Sequence, residues 1–202
     1  MAKAPPGGNR DKRYYGPALR VDLLDNEHKT PLWSASQLII KAKPGGLPGG
    51  LEPDQTVTAV FSFEDEREHG LFEATVAKLD AAQGQLGLRF TWVNEGGHAL
   101  LAKMTKKVDP KRPETRPIMK VTFTRSTINW SLSGFLLGGY WGELKNGERF
   151  NGMIWMDKPQ DPGVFGGHAV RVNHDRHTVS VKFDEIPDKT FELLEAVIKK
   201  SV

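Results

Sequence analysis

Two short patterns hold the residues of this chain whose side chains could act together chemically. Arg112 and Arg116 bracket Arg-Pro-Glu-Thr-Arg, with Lys111 immediately before it. Asn129, Ser131 and Gly134 occur in Asn-Trp-Ser-Leu-Ser-Gly, followed at once by the apolar run Phe135, Leu136, Leu137. On a strand, Asn129 and Ser131 point to the same face, because successive side chains alternate. Gly134 lets the backbone turn tightly or lets another group approach closely. A guanidinium binds phosphate through two parallel hydrogen bonds. The chemistry of such a set is recognition of an anion. The sequence offers no nucleophile with an adjacent base and no carboxylate pair with a workable mechanism, so an enzyme is not expected.

Composition bounds the elements that must position these residues. A chain of 202 residues can form one large domain or two small ones. With 38% hydrophobic and 26% charged residues it reads as a soluble globular protein, and its 21 glycines and 13 prolines favour short strands and many turns over long helices. There is no cysteine, which excludes disulfides and thiolate metal sites and fits a reducing cytoplasm. No apolar run reaches the ~18 residues of a membrane span. Residues 1–10 lack the apolar segment of a signal peptide and read as a disordered tail. A net charge of +3 leans towards anionic partners without the density of a dedicated nucleic-acid binder.

Patterning predicts strands over 18–24, 31–40, 56–63, 71–79 and 85–93, with a turn at 25–29, a loop at 43–53 and a solvated charged turn at 64–69. A short helix is expected over 98–106, carrying Leu100, Leu101 and Met104 at helical spacing. Pro110, Pro113 and Pro117 then make 108–117 an extended linker that carries the arginine pair and marks a domain boundary. Strands are expected next over 119–124, 127–131, 135–137, 148–156, 168–172 and 178–183. A last helix is expected over 188–200, with Asp188 at its start and Phe191, Leu194, Val197 and Ile198 in one stripe.

The second half repeats the first. The segment beginning Asp11-Lys12-Arg13 aligns with the one beginning Lys111-Arg112-Pro113, so Pro17 matches Pro117. Leu32-Trp33-Ser34 aligns with Asn129-Trp130-Ser131, and residues 86–90 align with 179–183. The first half departs from the second at the chemical positions. Lys12 stands for Arg112, Gly16 for Arg116, Leu32 for Asn129 and Gln37 for Gly134. Their joint replacement, while core positions stay apolar, points to one site, present in the second copy alone.

Two arginines before a strand and Asn-x-Ser-x-x-Gly at its far end resemble the PilZ family, whose members bind the bacterial second messenger cyclic di-GMP. The resemblance covers 111–199, and more loosely 12–106 as a degenerate copy. Asn129 stands where many members have Asp. The resemblance implies an all-β protein of two tandem, small, six-stranded antiparallel barrels, each followed by a short C-terminal helix. The expected domains are a degenerate barrel at 11–107 and a ligand-binding PilZ domain at 108–202. It implies a cytoplasmic receptor that binds cyclic di-GMP through Arg112, Arg116, Asn129, Ser131 and Gly134, with Lys111 adding charge, and no other cofactor and no metal. Guanine O6 and N7 match an arginine fork, as do the phosphates. Ligand binding would order 108–117 and lock the barrels together. The implied output is motility or exopolysaccharide synthesis through a protein partner of the flagellar or polysaccharide machinery. The first copy would serve as a partner or homodimerisation module.

Two rival readings rest on particular features. The short interval from Arg116 to Asn129 favours a non-binding interaction adaptor. The basic stretch 103–120 could contact nucleic acid, but it lacks interleaved aromatics. His174 and His177 straddle a turn with no third ligand in view, so a metal site is not expected. The Gly pairs at 45–46 and 49–50 lack the ending of a phosphate loop. Tyr140 and Trp141 could form an exposed aromatic patch.

Overall fold

The computed structural model describes residues 12–23, 27–155 and 162–200, so the tail foreseen at 1–10 lies outside the described residues. The strands are β1 (Arg20–Asp22), β2 (Glu27–Thr30), β3 (Gln37–Lys41), β4 (Thr56–Phe63), β5 (Gly70–Asp80) and β6 (Gln85–Val93), then β7 (Met119–Phe123), β8 (Arg125–Ser131), β9 (Gly134–Leu137), β10 (Arg149–Trp155), β11 (Gly163–Asn173) and β12 (Thr178–Glu185). Helix α1 (Glu95–Thr105) comes after β6, and α2 (Asp188–Lys200) after β12.

The strands form two six-stranded antiparallel sheets. One closes into a barrel in the order β1-β10-β11-β12-β9-β8, with β8 returning to β1. The other runs β2-β7-β4-β5-β6-β3 and is nearly closed. Its end strands meet where the Thr30 hydroxyl donates to the Ile39 carbonyl at 2.5 Å and Ile39 N–H donates to the Leu32 carbonyl at 2.7 Å. The all-β architecture of two six-stranded barrels with helices is therefore as the sequence implies.

The division of the chain differs from the expected one. Matching each first-half strand to its second-half counterpart, β2 with β8 through β6 with β12, gives both sheets the same order. The opening strands are exchanged: β1 completes the barrel of the second half, and β7 completes the sheet of the first. One compact unit joins the residues up to Leu23 with those from Arg125 onward, and the other is Leu24–Thr124. The sequence places the boundary at 108 because proline marks where the helix stops. Proline carries no information on which sheet the next strand joins. Val21 and Val121 are both fully buried, and by the internal alignment they are equivalent, so either strand meets the packing needs of either sheet.

Local chemistry accounts for the remaining differences. β2 lies partly where a turn is expected, because its inward residues, His28 and Thr30, are polar, while Glu27 and Lys29 face out. An alternation without apolar residues is invisible to a hydrophobic pattern. β11 begins before the expected 168, through glycines that depress strand propensity. α1 begins at Glu95 because the Asn94 side chain caps it, accepting from Gly97 N–H at 2.9 Å. Gly97 sits in the first turn because a Cβ there would lie 2.6 Å from the Asn94 side-chain oxygen.

Each unit has its own core. Phe61, Phe63, Phe72 and Trp33 pack with Leu100, Leu101 and Met104 of α1 in one. Trp130, Phe135, Phe165 and Phe183 pack with Leu194 and Val197 of α2 in the other. Full burial of a Leu or Val contributes about 1.5–3 kcal/mol, so the α2 stripe fastens the helix to the barrel as the sequence predicts. Tyr140 and Trp141 do not form one aromatic patch. Tyr140 is fully buried and its hydroxyl accepts from Leu144 N–H at 2.7 Å, whereas Trp141 is half exposed and stacks on His177 at 3.5 Å. The charged turn at 64–69 is not merely solvated. Glu66 holds Lys103 at 2.7 Å and Lys107 at 2.9 Å, tying α1 to the turn after β4, and these bonds hold its carboxyl below the usual range. Among the described residues no helix is long and apolar enough to cross a membrane.

Candidate functional site

The β8–β9 hairpin is the element that presents Asn129, Ser131 and Gly134. Its turn is fixed by Ser131, whose hydroxyl accepts from Ser133 N–H at 3.2 Å and lies 2.9 Å from the Ser133 hydroxyl. Ser34 does the same work in the first half, accepting from the N–H groups of Ser36 and Gln37, each at 3.2 Å. A residue shared by both copies in the same bond pattern is explained by the turn itself. Asn129 and Gly134 have no such counterpart.

Gly134 is required by close approach. A Cβ there would lie 2.1 Å from the Val181 carbonyl oxygen on β12, with which this part of β9 pairs. Asn129 is half-buried on the outer wall of β8, and its amide has no hydrogen-bond partner among the described residues.

Residues 12–17 form an arm along β8. Tyr14 and Trp130 exchange backbone hydrogen bonds of 2.7 and 3.0 Å, and their rings lie 5.0 Å apart. The Trp130 indole N–H donates to the Pro17 carbonyl at 3.0 Å. This anchorage brings Arg13 to the hairpin. Arg13, Asn129, Ser131 and Gly134 line a cleft of about 310 Å³, with Ser180 and Lys182 of β12 opposite and Leu136 and Val170 giving it apolar walls. Neither Arg13 nor Lys182 makes an ion pair among the described residues.

Asn129, Ser131 and Gly134 come together. Lys111, Arg112 and Arg116 belong to the other unit, Leu24–Thr124. Lys111 and Arg112 are exposed, beside the 3-10 turn Pro113–Thr115. Arg116 lies over the Trp33 ring at 5.1 Å and donates to the Trp33 carbonyl, while its buried Nε has no partner. The Trp33 indole in turn donates to the Pro117 carbonyl at 2.7 Å. Trp33 with Pro117 and Trp130 with Pro17 are therefore the same contact made twice, each joining one half's hairpin to the other half's opening segment. Sequence reasoning missed Arg13 and Lys182. The signal for Arg13 lay in the alignment of its segment with the arginine-bearing one, once the opening strands are known to be exchanged.

The site can hold an anion with a planar polar group. Arg13 and Lys182 supply positive charge, Asn129 offers an unused donor and acceptor, and Gly134 keeps the floor clear. Among the described residues no three His, Asp or Glu side chains are grouped to hold a metal.

A scan against protein-family models found no match, and a search of curated proteins found none. Among solved structures the chain is similar to that titled "Structure of Bacillus subtilis Inhibitor of motility (MotI/DgrA)", with a TM-score of 0.34 and 13% identity over 93% of this chain and 97% of that one. A likeness of this degree carries no functional argument; the chemistry of the cleft has to carry it.

Proposed function

We propose that the cleft on the β8–β9 hairpin is a receptor site for cyclic di-GMP. The observation that carries this is the meeting of an unpartnered Asn129 amide with Arg13 over the Asn-x-Ser-x-x-Gly hairpin. An arginine fork matches either a phosphate or the O6/N7 edge of guanine, and an amide can serve the base's remaining polar edge. The protein is read as a non-catalytic receptor of PilZ type. It would couple the second messenger to motility or exopolysaccharide output through a protein partner.

Calorimetric titration with cyclic di-GMP tests this. Removing one charge-assisted contact should cost about 1.5–3 kcal/mol, roughly a tenfold to hundredfold loss of affinity. That loss is expected in Arg13→Ala and Asn129→Ala. Absence of binding by the intact protein would refute the reading. Arg112→Ala and Arg116→Ala, run in parallel, test the linker pair foreseen in the sequence: a loss of the same size would add those arginines to the site.

A second reading, a non-binding interaction adaptor, is favoured by one observation. Arg116 is already committed to Trp33, so the arginine pair is not free as a pair.

A further inference from the structure

The cleft is too small for the whole of its proposed ligand. At about 310 Å³ it stands at the bottom of the ~300–1,000 Å³ range of sites that enclose a drug-sized molecule. A cyclic dinucleotide with two guanines and two phosphates exceeds that, so one half must lie outside. A charged direction leads out of the cleft across the barrel wall.

Strand register defines that direction. Gly134 of β9 lies opposite Lys182 of β12, Lys182 opposite His168 of β11, and His168 opposite Arg149 of β10. Directly opposed residues on antiparallel strands present their side chains to the same face. The neighbours of Lys182 along β12, Val181 and Phe183, are buried, so this face is the outer one. A row of basic side chains therefore leaves the cleft floor and crosses the wall.

The members of the row are not equivalent. Asp184 holds His168 through Nδ1 at 2.7 Å and lies 3.7 Å from Arg149 Nε. Its carboxylate offsets the charge of Arg149. Lys182 is exposed and without an ion pair among the described residues. Among the described residues, Arg13 and Lys182 are the cations that line the cleft, and they stand on different elements, the arm 12–17 and β12.

We propose that Lys182 is the second phosphate-binding residue of the site. One phosphate and its guanine are held by Arg13, Asn129 and the hairpin. The other phosphate is met by the Lys182 ammonium, and the second nucleotide lies over β12 towards His168. This rests on the cyclic di-GMP reading above and gives the dianion one cation per phosphate.

Calorimetric titration of the full chain with cyclic di-GMP, comparing Lys182→Met and Lys182→Arg, tests the assignment. Lys182→Met should lose about tenfold to hundredfold in affinity with an unchanged melting temperature, because the side chain is exposed. Lys182→Arg keeps the charge and should stay within a fewfold of the intact protein. Unchanged affinity in Lys182→Met, or equal losses in both variants, would overturn the role of Lys182 and leave the Arg13 and Asn129 cleft standing. No binding by the intact protein would overturn the cyclic di-GMP reading itself, and this proposal with it.

Discussion

Ser131 and Gly134 are fixed by different forces, and substitutions should separate them. The Ser131 hydroxyl closes the β8–β9 turn as Ser34 closes its counterpart. Ser131→Ala and Ser34→Ala should therefore cost similar stability, about 0.5–1.5 kcal/mol each by thermal melts. Markedly unequal losses would count against a shared turn role. At Gly134 a side chain meets the Val181 carbonyl oxygen. Gly134→Val should cost more than about 2 kcal/mol, and its binding loss would then report damage to the hairpin. His28 is a third case. It is buried on β2, edge-on to Phe123 at 5.9 Å, and its Nε2 has no partner. Burial pulls its pKa below the ordinary 6.5, so the folded protein keeps it neutral while the unfolded chain takes up a proton. Its contribution is fully present above about 6.5, and stability falls as pH drops below that value. Replacing it with leucine should flatten the melting temperature between pH 7 and 5. An unaltered slope would show that another group titrates there.

Among the elements, those with strong alternation or helical spacing were legible in advance. β4, β6 and α2 lie where the pattern puts them, because their apolar residues fall on one face. β2 was hidden by its inward polar residues and the start of β11 by its glycines. The grouping of the hairpin residues Asn129, Ser131 and Gly134 was legible. The hairpin residues stand in one contiguous motif, so local sequence fixes their grouping. Arg13 reaches them only through the pairing of Tyr14 with Trp130, a contact between distant segments that no local pattern encodes. α1 is tied to the turn after β4 by the ion pairs of Glu66 with Lys103 and Lys107. The Glu66 pKa is lowered by these bonds from the ordinary 4.5, so its contribution is present above that value and lost as pH falls below it. Glu66→Gln should lower the melting temperature at pH 7 and narrow the gap to the intact protein under acid. A gap that stays constant with pH would mean the bonds contribute nothing through charge.

For the whole molecule, the exchange of β1 and β7 makes neither compact unit a self-sufficient half of the duplication. Residues 108–202 alone lack β1, which pairs with both β10 and β8 and closes the barrel. That fragment should be unfolded or aggregated by circular dichroism and gel filtration. A chain in which 125–200 is joined by a flexible linker to 12–23 should fold. A well-folded 108–202 fragment would show that β7 can stand in for β1, as the equivalence of Val21 and Val121 would allow.

The exchanged strands also set an order of events on the ribosome. β1 is synthesised well before the strands it joins, which end at Ser131 and Trp155. The unit Leu24–Thr124 has all its strands once β7 is made, while β1 still waits. At ~5–20 residues per second the interval between making β1 and making β10 lasts on the order of ten seconds. Throughout it the short strand Arg20-Val21-Asp22 waits for its partners, and the next unit to be completed has an opening strand that it matches. The chain must favour β7 over β1 in the first sheet, so the arrival time of each strand becomes part of what specifies the fold.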